Sequence, residues 1–170
     1  KVIKMLNNDK KFNHEIFMNC LNLEKLVVDK DNKYYSSVKG MLYNKKGDTL
    51  LLFPAKKATT YALPKGTKCI GYQAFKNSIV KKVKIPNSVK EISSEAFLNC
   101  KNLYSVNIPS SVTSVGENVF KNTKYYNISK NWYKGQLYIS NCVVASKKNI
   151  KSVSLKSNTR LIASSSYIEN

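Results

Sequence analysis

The sequence repeats one apolar pattern at intervals of 22 and 23 residues, and this period limits the fold more than any other feature. Three sets of residues carry the period: Ile70, Ile92 and Val115; Phe75, Phe97 and Phe120; and the pairs Leu63-Pro64, Ile85-Pro86 and Ile108-Pro109. A segment of this length cannot bury its own apolar face, so successive copies must stack on one another. The spacing therefore predicts a solenoid in which the three phenylalanines line up inside a shared core.

Each copy contains one alternating segment and one short turn-rich segment. Val83-x-Ile85 and Val106-x-Ile108 alternate apolar with polar residues and end at proline, which is typical of a short strand. Residues 93–99 begin with cap-forming serines and are too short for a full α-helix. We predict an α/β, β-dominated solenoid with parallel strands on a concave face and short helical turns on the convex face.

The same register extends toward both ends of the chain. Ile3 and Met5 stand where Val83 and Ile85 stand in the central copy, and Leu23, Leu26 and Val28 take the places of Leu103, Val106 and Ile108. A last copy is predicted from four residues that lie 70 positions after their counterparts in the central copy: Val153, Leu155, Ile162 and Tyr167.

Two long spacings interrupt the period, and both contain the pattern of a β-hairpin. One insert lies near residues 30–60, with Lys45-Lys46-Gly47-Asp48 as its turn. The other lies near residues 125–151, with Ser140-Asn141 as its turn. Both are predicted to be hairpins projecting from the stack.

The segment from Phe97 to Gly116, FLNCKNLYSVNIPSSVTSVG, resembles the repeat of the BspA-type leucine-rich repeat family, and the two inserts resemble the hairpins that interrupt repeats there. The resemblance covers nearly all 170 residues. It implies a curved leucine-rich repeat solenoid on a cell surface or outside the cell, working in adhesion or binding, with no shared active site. We expect one solenoid domain over residues 1–170, of about five to six rungs, within a longer protein.

The net charge of +19 has two interpretations. It favours an anionic partner such as nucleic acid, a sulfated glycan or teichoic acid, because a positive field steers such polymers and releases their counterions. Alternatively, it reflects the codon bias of an AT-rich genome. Arg160 is the only arginine, and arginine binds phosphate and sulfate better than lysine does.

Residues that alternate with the buried strand positions should face the concave side and form the candidate partner-binding surface. The predicted surface residues are Lys25, Val27, Lys82, Lys84, Ser105, Asn107, Ser152 and Ser154, in a row that also includes Lys4, Thr60 and Ala62. The aromatic clusters Tyr34-Tyr35, Tyr125-Tyr126 and Trp132-Tyr133 lie at the bases of the inserts. There they are expected to pack the inserts onto the solenoid rather than to stack on a ligand.

Catalytic and metal-binding patterns are weak in this sequence. His14 is the only histidine, no C-x-x-C spacing suggests zinc, and no glycine-rich phosphate loop is present. Cys20 and Cys100 lie two rungs apart, beyond disulfide reach, and are predicted to be buried thiols. We expect a non-enzymatic protein with no cofactor, no transmembrane segment and a protein or glycan partner, with an anionic polymer and end-to-end self-association as alternatives.

Overall fold

The chain forms a β-solenoid in which strands from successive rungs pair in parallel. The computed structural model describes residues 1–6, 14–17, 19–148 and 150–164, with the backbone alone at residues 14 and 15. The strands are β1 Val2–Met5, β2 Lys25–Val28, β3 Tyr35–Val38, β4 Met41–Asn44, β5 Thr49–Leu52, β6 Thr60–Ala62, β7 Cys69–Ile70, β8 Lys82–Lys84, β9 Glu91–Ile92, β10 Ser105–Val106, β11 Ser114–Val115, β12 Trp132–Tyr133, β13 Gln136–Ile139, β14 Cys142–Ser146 and β15 Leu161–Ile162.

Each central rung contributes one strand to each of two sheets. The concave sheet has the order β10-β8-β6, and a second sheet has the order β11-β9-β7-β5-β4-β3. In the concave sheet Val83 is paired with Tyr61 on one side and Val106 on the other. In the second sheet Ile92 is paired with Ile70 and Val115. The predicted period thus equals the number of residues between equivalent positions in successive rungs.

The phenylalanines form a continuous column through the core. The ring centroids of Phe75 and Phe97 are 4.7 Å apart, and those of Phe97 and Phe120 are 5.3 Å apart. This confirms the predicted alignment. Phe53 extends the column, with its centroid 4.5 Å from that of Phe75. Phe53 follows β5 in the first insert, so the insert itself supplies one ring of the column.

The convex segments are hydrogen-bonded turns rather than helices. Each rung places non-glycine residues with positive φ two positions before and two positions after its phenylalanine: Gln73, Glu95 and Asn118, and Asn77, Asn99 and Asn122. A left-handed residue on each side of the ring prevents helical propagation. Among the described residues the helices are two short 3₁₀ segments, His14–Phe17 and Ser129–Asn131, so the expected helical turns are replaced by tighter turns.

Both inserts are three-stranded meanders whose last strand rejoins the solenoid. The predicted turns at residues 45–48 and 140–141 are present, and an additional two-residue turn precedes each of them, at Lys39-Gly40 and at Lys134-Gly135. All four residues of these additional turns have positive φ, as type I′ turns require. The last strands then pair in parallel with β7 and β15. The predicted hairpins are therefore present, and each insert is joined to the solenoid by its last strand.

The first copy folds as predicted but over its own core. Ile3 is paired with Leu26, and Met5 with Val28, in the two-stranded sheet β1-β2. Met5, Leu23, Leu26 and Val28 are buried in a cluster separate from the phenylalanine column, with Phe17 packed at its side. The weak first copy is thus a rung with a different interior.

The last copy is only partly built as predicted. Ile162 lies in β15, but Val153, Leu155 and Ile162 are 53%, 41% and 43% exposed. These three residues were expected to be buried like Val83, Ile85 and Ile92. No described strand pairs with residues 151–156, so their side chains have no neighbouring rung to cover them. The predicted aromatic at Tyr167 lies outside the described residues.

Candidate partner-binding surface

The concave sheet presents two outward rows of side chains, and its central strand carries a lysine in each. In the first row Lys82 stands between Thr60 and Ser105, which are its partners in register on β6 and β10. All three residues are exposed, while Val83 on the same strand is buried. The alternation that buries one face of each strand therefore leaves the other face free for contact.

The second row repeats this arrangement two residues further along the strands. Lys84 is paired with Ala62 on β6, and Asn107 follows β10. All three are exposed. The lysines are thus the longest side chains on a floor of short ones, separated by about 7 Å along the strand. Neither neighbouring strand carries a side chain long enough to cover them.

The lysines of the concave sheet form no ion pair with a carboxylate in the described part of the chain. In the described ranges the ion pairs are the amino terminus with Glu24 and Lys46 with Asp48, and neither involves the concave sheet. No ion pair within the described part of the chain therefore reduces the positive potential in front of Lys82 and Lys84, and salt screens it.

Tyr104 lies at one corner of the sheet, directly before β10, and is 40% exposed. The Nζ atom of Lys82 is 5.6 Å from the centre of its ring, and that of Lys124 is 5.8 Å from the same centre. Cations within about 6 Å of an aromatic face are attracted by its quadrupole. Neither Tyr104 nor Lys124 was among the surface residues predicted from the sequence. Repeat register could have identified Tyr104, because Tyr104 takes the place of the exposed Lys81 one rung earlier.

Lys25 and Val27 were predicted to extend the concave row, but they lie on a separate sheet. Both belong to β2, which is paired with β1. The stem of Lys25 packs on the Lys39-Gly40 turn, since a Cβ on Gly40 would come within 2.8 Å of Lys25 Cγ. Burial, with the charge of Lys25 as a second cause, lowers the pKa of Lys57. Lys25 thus lies on β2, beside the Lys39-Gly40 turn of the first insert.

Ser152 and Ser154 were also predicted on the concave row, but the structure places them outside any strand. The Nζ atom of Lys134 donates a hydrogen bond to Ser154 Oγ over 3.1 Å. These serines therefore lie beside the second insert and are not brought together with Ser105 and Asn107.

The aromatic clusters mostly pack the inserts, as expected. The rings of Tyr126 and Trp132 meet edge to face at 5.0 Å, and Trp132 Nε1 donates to the Tyr126 carbonyl. The hydroxyl of Tyr125 donates to the Tyr138 carbonyl on β13, and Tyr35 is buried. Tyr34 differs from the others, because it is 44% exposed.

The side chain of the single arginine, Arg160, is hydrogen-bonded to backbone carbonyls. The guanidinium of Arg160 donates to the carbonyls of Val112 at 2.9 Å, Pro109 at 2.8 Å and Ile108 at 3.3 Å. These carbonyls belong to the turn that follows the concave sheet. Arg160 therefore links the last described rung to an earlier one, and lysines supply the cationic groups on the concave sheet.

Comparison with known proteins agrees with this geometry. The family model of the BspA type leucine rich repeat region matches residues 52–170, in 6 copies. The chain belongs to this family. Its repeats account for the two-strand rungs, and the match begins at Leu52, next to the first phenylalanine of the column. No curated protein matches the chain significantly.

Solved structures of bacterial leucine-rich repeat proteins share the fold. A leucine-rich repeat protein from Eubacterium ventriosum is 30% identical over 72% of this chain and 33% of that one, with a TM-score of 0.66. The pneumococcal vaccine antigen PcpA is 28% identical over 57% of this chain and 24% of that one, with a TM-score of 0.54. A leucine rich cell surface protein from Faecalibacterium prausnitzii, 22% identical over 68% of this chain and 38% of that one, shows the fold alone, with a TM-score of 0.56. The chain thus spans about a third or less of the first two proteins.

The four cysteines are free thiols. Cys100 is buried, as predicted, and its Sγ donates to the Phe75 carbonyl at 2.9 Å. Burial raises the pKa of Cys100 to about 11, so the thiol is neutral at physiological pH. Cys20 is only half-buried, against the prediction.

Metal and membrane sites have little support in the described parts of the chain. No group of three or more histidine, cysteine, aspartate and glutamate residues within those parts could hold a metal ion. No helix in the same ranges is both long and apolar enough to cross a bilayer.

Proposed function

We propose that this chain is a non-enzymatic binding module, exposed on a cell surface or outside the cell, that presents its concave sheet and its two inserts to a protein or glycan partner. One observation carries the proposal: the concave sheet has an exposed polar floor in which Lys82 and Lys84 form no ion pair with any described carboxylate. Membership of the BspA-type leucine-rich repeat family supports it.

The rigidity of the surface suits binding. Lys82 and Lys84 sit on β8, whose backbone is paired with β6 on one side and β10 on the other, and Val83 between them is buried in the core cluster that contains the phenylalanine column. A surface held this way loses little conformational entropy when a partner binds. The concave sheet is therefore suited to recognition without rearrangement.

A pair of matched serines tests the proposal. Ser105 on β10 and Ser114 on β11 are exposed residues at the first position of two-residue strands in the two different sheets. Ser105→Arg places a long side chain on the concave floor, and Ser114→Arg places the same side chain on the second sheet. Binding of each variant is measured on an array of extracellular-matrix proteins and glycans. We expect Ser105→Arg to lose binding and Ser114→Arg to retain it.

Two results would contradict this proposal. One is equal binding by both variants and the original chain, which would exclude the concave sheet. The other is equal loss in both variants while circular dichroism shows both to be folded, which would mean that binding does not depend on which sheet is changed.

A second candidate function is polyanion binding by charge alone. It is favoured by the net charge of +19 and by the small number of ion pairs within the described residues. It predicts a steep loss of binding between low and moderate salt. Lys82→Glu with Lys84→Glu should then weaken binding no more than Lys68→Glu with Lys90→Glu, a pair of exposed lysines near the second sheet. A greater effect of the concave pair would favour the concave sheet over charge alone.

A further inference from the structure

We propose that Tyr104, Lys82 and Lys124 form a subsite for one acidic sugar residue, sulfated or uronic, of an anionic glycan. This inference rests on the proposed binding function and specifies the partner of the concave sheet. It is carried by an exposed ring whose centre lies 5.6 and 5.8 Å from two ammonium groups.

The position of the ring is fixed by the rungs on both sides. The backbone N–H of Tyr104 donates to the Lys81 carbonyl at 3.1 Å. Its neighbour Leu103 is buried and accepts a hydrogen bond from the Tyr125 N–H at 2.7 Å. The backbone under the ring is thus held by an earlier and a later rung. The ring is therefore presented to solvent from a fixed base.

The combination of ring and charges matches the chemistry of an acidic sugar. A pyranose has an apolar face of C–H bonds that can lie on an aromatic ring, and this contact removes apolar surface of both groups from water. Sulfate or carboxylate groups project from the rim of the same sugar. Both ammonium groups lie over the Tyr104 ring, so a sugar stacked on the ring would move them to its rim, where they can form charge-assisted hydrogen bonds with such groups.

The lysine at the other end of β8 extends the subsite. Lys84 lies on the same face as Lys82, about 7 Å along the strand. Its partners in register are short, so a chain of sugars leaving Tyr104 can pass over Ala62 and Asn107 without obstruction. The charges thus form a short track along one strand, starting at the ring.

Single-stranded nucleic acid fits this surface less well. Its non-specific readers offer a series of exposed rings on which successive bases stack. Among the described aromatic residues, three tyrosines are exposed by 40% or more: Tyr34, Tyr72 and Tyr104. Tyr34 lies beside β3 in the first insert, and Tyr72 lies in a convex turn, so the concave sheet has one such ring. A single ring with two cations close to it favours one stacked sugar over a row of bases.

Calorimetry on the whole chain tests the subsite with three probes: a heparin-derived hexasaccharide, the uncharged hexamer of N-acetylglucosamine, and an oligothymidylate of comparable charge. We expect binding of the heparin hexasaccharide and weaker binding of the other two. Tyr104→Ala should weaken hexasaccharide binding about tenfold, the equivalent of one stacked ring, with the salt dependence unchanged. Tyr104→Phe should bind like the original chain, because the stacking face is kept.

Removing the lysines should instead change how strongly hexasaccharide binding depends on salt concentration. Lys82→Gln with Lys124→Gln should lower the slope of log affinity against log salt by about one for each lysine removed. Tyr72→Ala is the matched control, since Tyr72 is 44% exposed and lies away from the concave sheet. It should leave hexasaccharide binding unchanged.

The subsite is wrong if Tyr104→Ala binds the hexasaccharide like the original chain, if the oligothymidylate binds as tightly as the hexasaccharide, or if no hexasaccharide binding is found. The broader proposal is judged separately. If other partners on the array are still lost in Ser105→Arg, the concave sheet binds something other than an acidic glycan. If Ser105→Arg binds every partner unchanged, the broader proposal fails as well.

Discussion

Phe97 is the best place to test whether the stacked aromatic column holds the solenoid together. Its side chain is fully buried, between Phe75 at 4.7 Å and Phe120 at 5.3 Å, with interplanar angles of 20° and 7°. Phe97→Ala removes the ring and leaves a cavity between rungs, so we expect it to lower the free energy of unfolding by about 3–5 kcal/mol. Phe97→Leu keeps most of the volume but loses two ring pairs, which should cost about 1–3 kcal/mol.

A double-mutant cycle separates stacking from loss of volume. Phe75 and Phe97 are in contact, so Leu substitutions at both should show a coupling energy of about 1 kcal/mol. Phe75 and Phe120 are joined only through Phe97, and their coupling should be close to zero. The free energies come from urea unfolding followed by circular dichroism, with the denaturant slope compared between variants.

Two results would refute the nearest-neighbour reasoning for this column. One is equal coupling for the contacting and the separated pair. The other is a Phe97→Leu variant as stable as the original chain, which would mean that the column contributes only apolar volume.

Three further predictions concern residues that link or space the rungs. Arg160→Ala removes hydrogen bonds to the carbonyls of an earlier turn and should lower the free energy of unfolding by about 1–3 kcal/mol in urea. Because burial raises the pKa of Cys100 from 9.0 to about 11, the folded state keeps this proton while the unfolded state loses it. Stability should therefore fall as pH rises from about 9 to 11, by up to about 3 kcal/mol, and Cys100→Ala should show a smaller fall in alkaline urea titrations. A Cβ on Gly116 would clash with the backbone nitrogen of Ser94, whereas a Cβ on Gly66 would meet nothing within 4 Å. Gly116→Ala should therefore lower the free energy of unfolding by about 1–3 kcal/mol in thermal or urea unfolding, and Gly66→Ala should be neutral.

The repeat period was sufficient to predict the stacking of the central rungs. Positions such as Ile92 and Phe97 recur at a spacing that only a stack can bury, so their burial follows from the apolar pattern itself. The outward direction of Lys82 and Lys84 follows from the same alternation. These inferences succeeded because they depend only on which residues avoid water. Apolar residues that recur at a fixed spacing show this directly in the sequence.

The inserts could not be predicted with the same success. The run from Leu50 to Phe53 is apolar throughout, so no alternation shows where the meander ends and the next rung begins. The parallel pairing of β5 with β7 decides that point, and it places Phe53 in the aromatic column. Strand pairing is a contact between distant segments, and a local pattern does not contain it.

The candidate surface was likewise only partly predictable from the sequence. Side-chain alternation by itself determined that the central strand of the concave sheet carries exposed lysines. Only the tertiary structure decided that Lys124 lies over the ring of Tyr104, because stacking of rungs brings together residues far apart along the chain. It also decided that Ser152 and Ser154 are not part of the sheet, since a two-residue strand is stable only where a neighbouring rung satisfies its backbone hydrogen bonds.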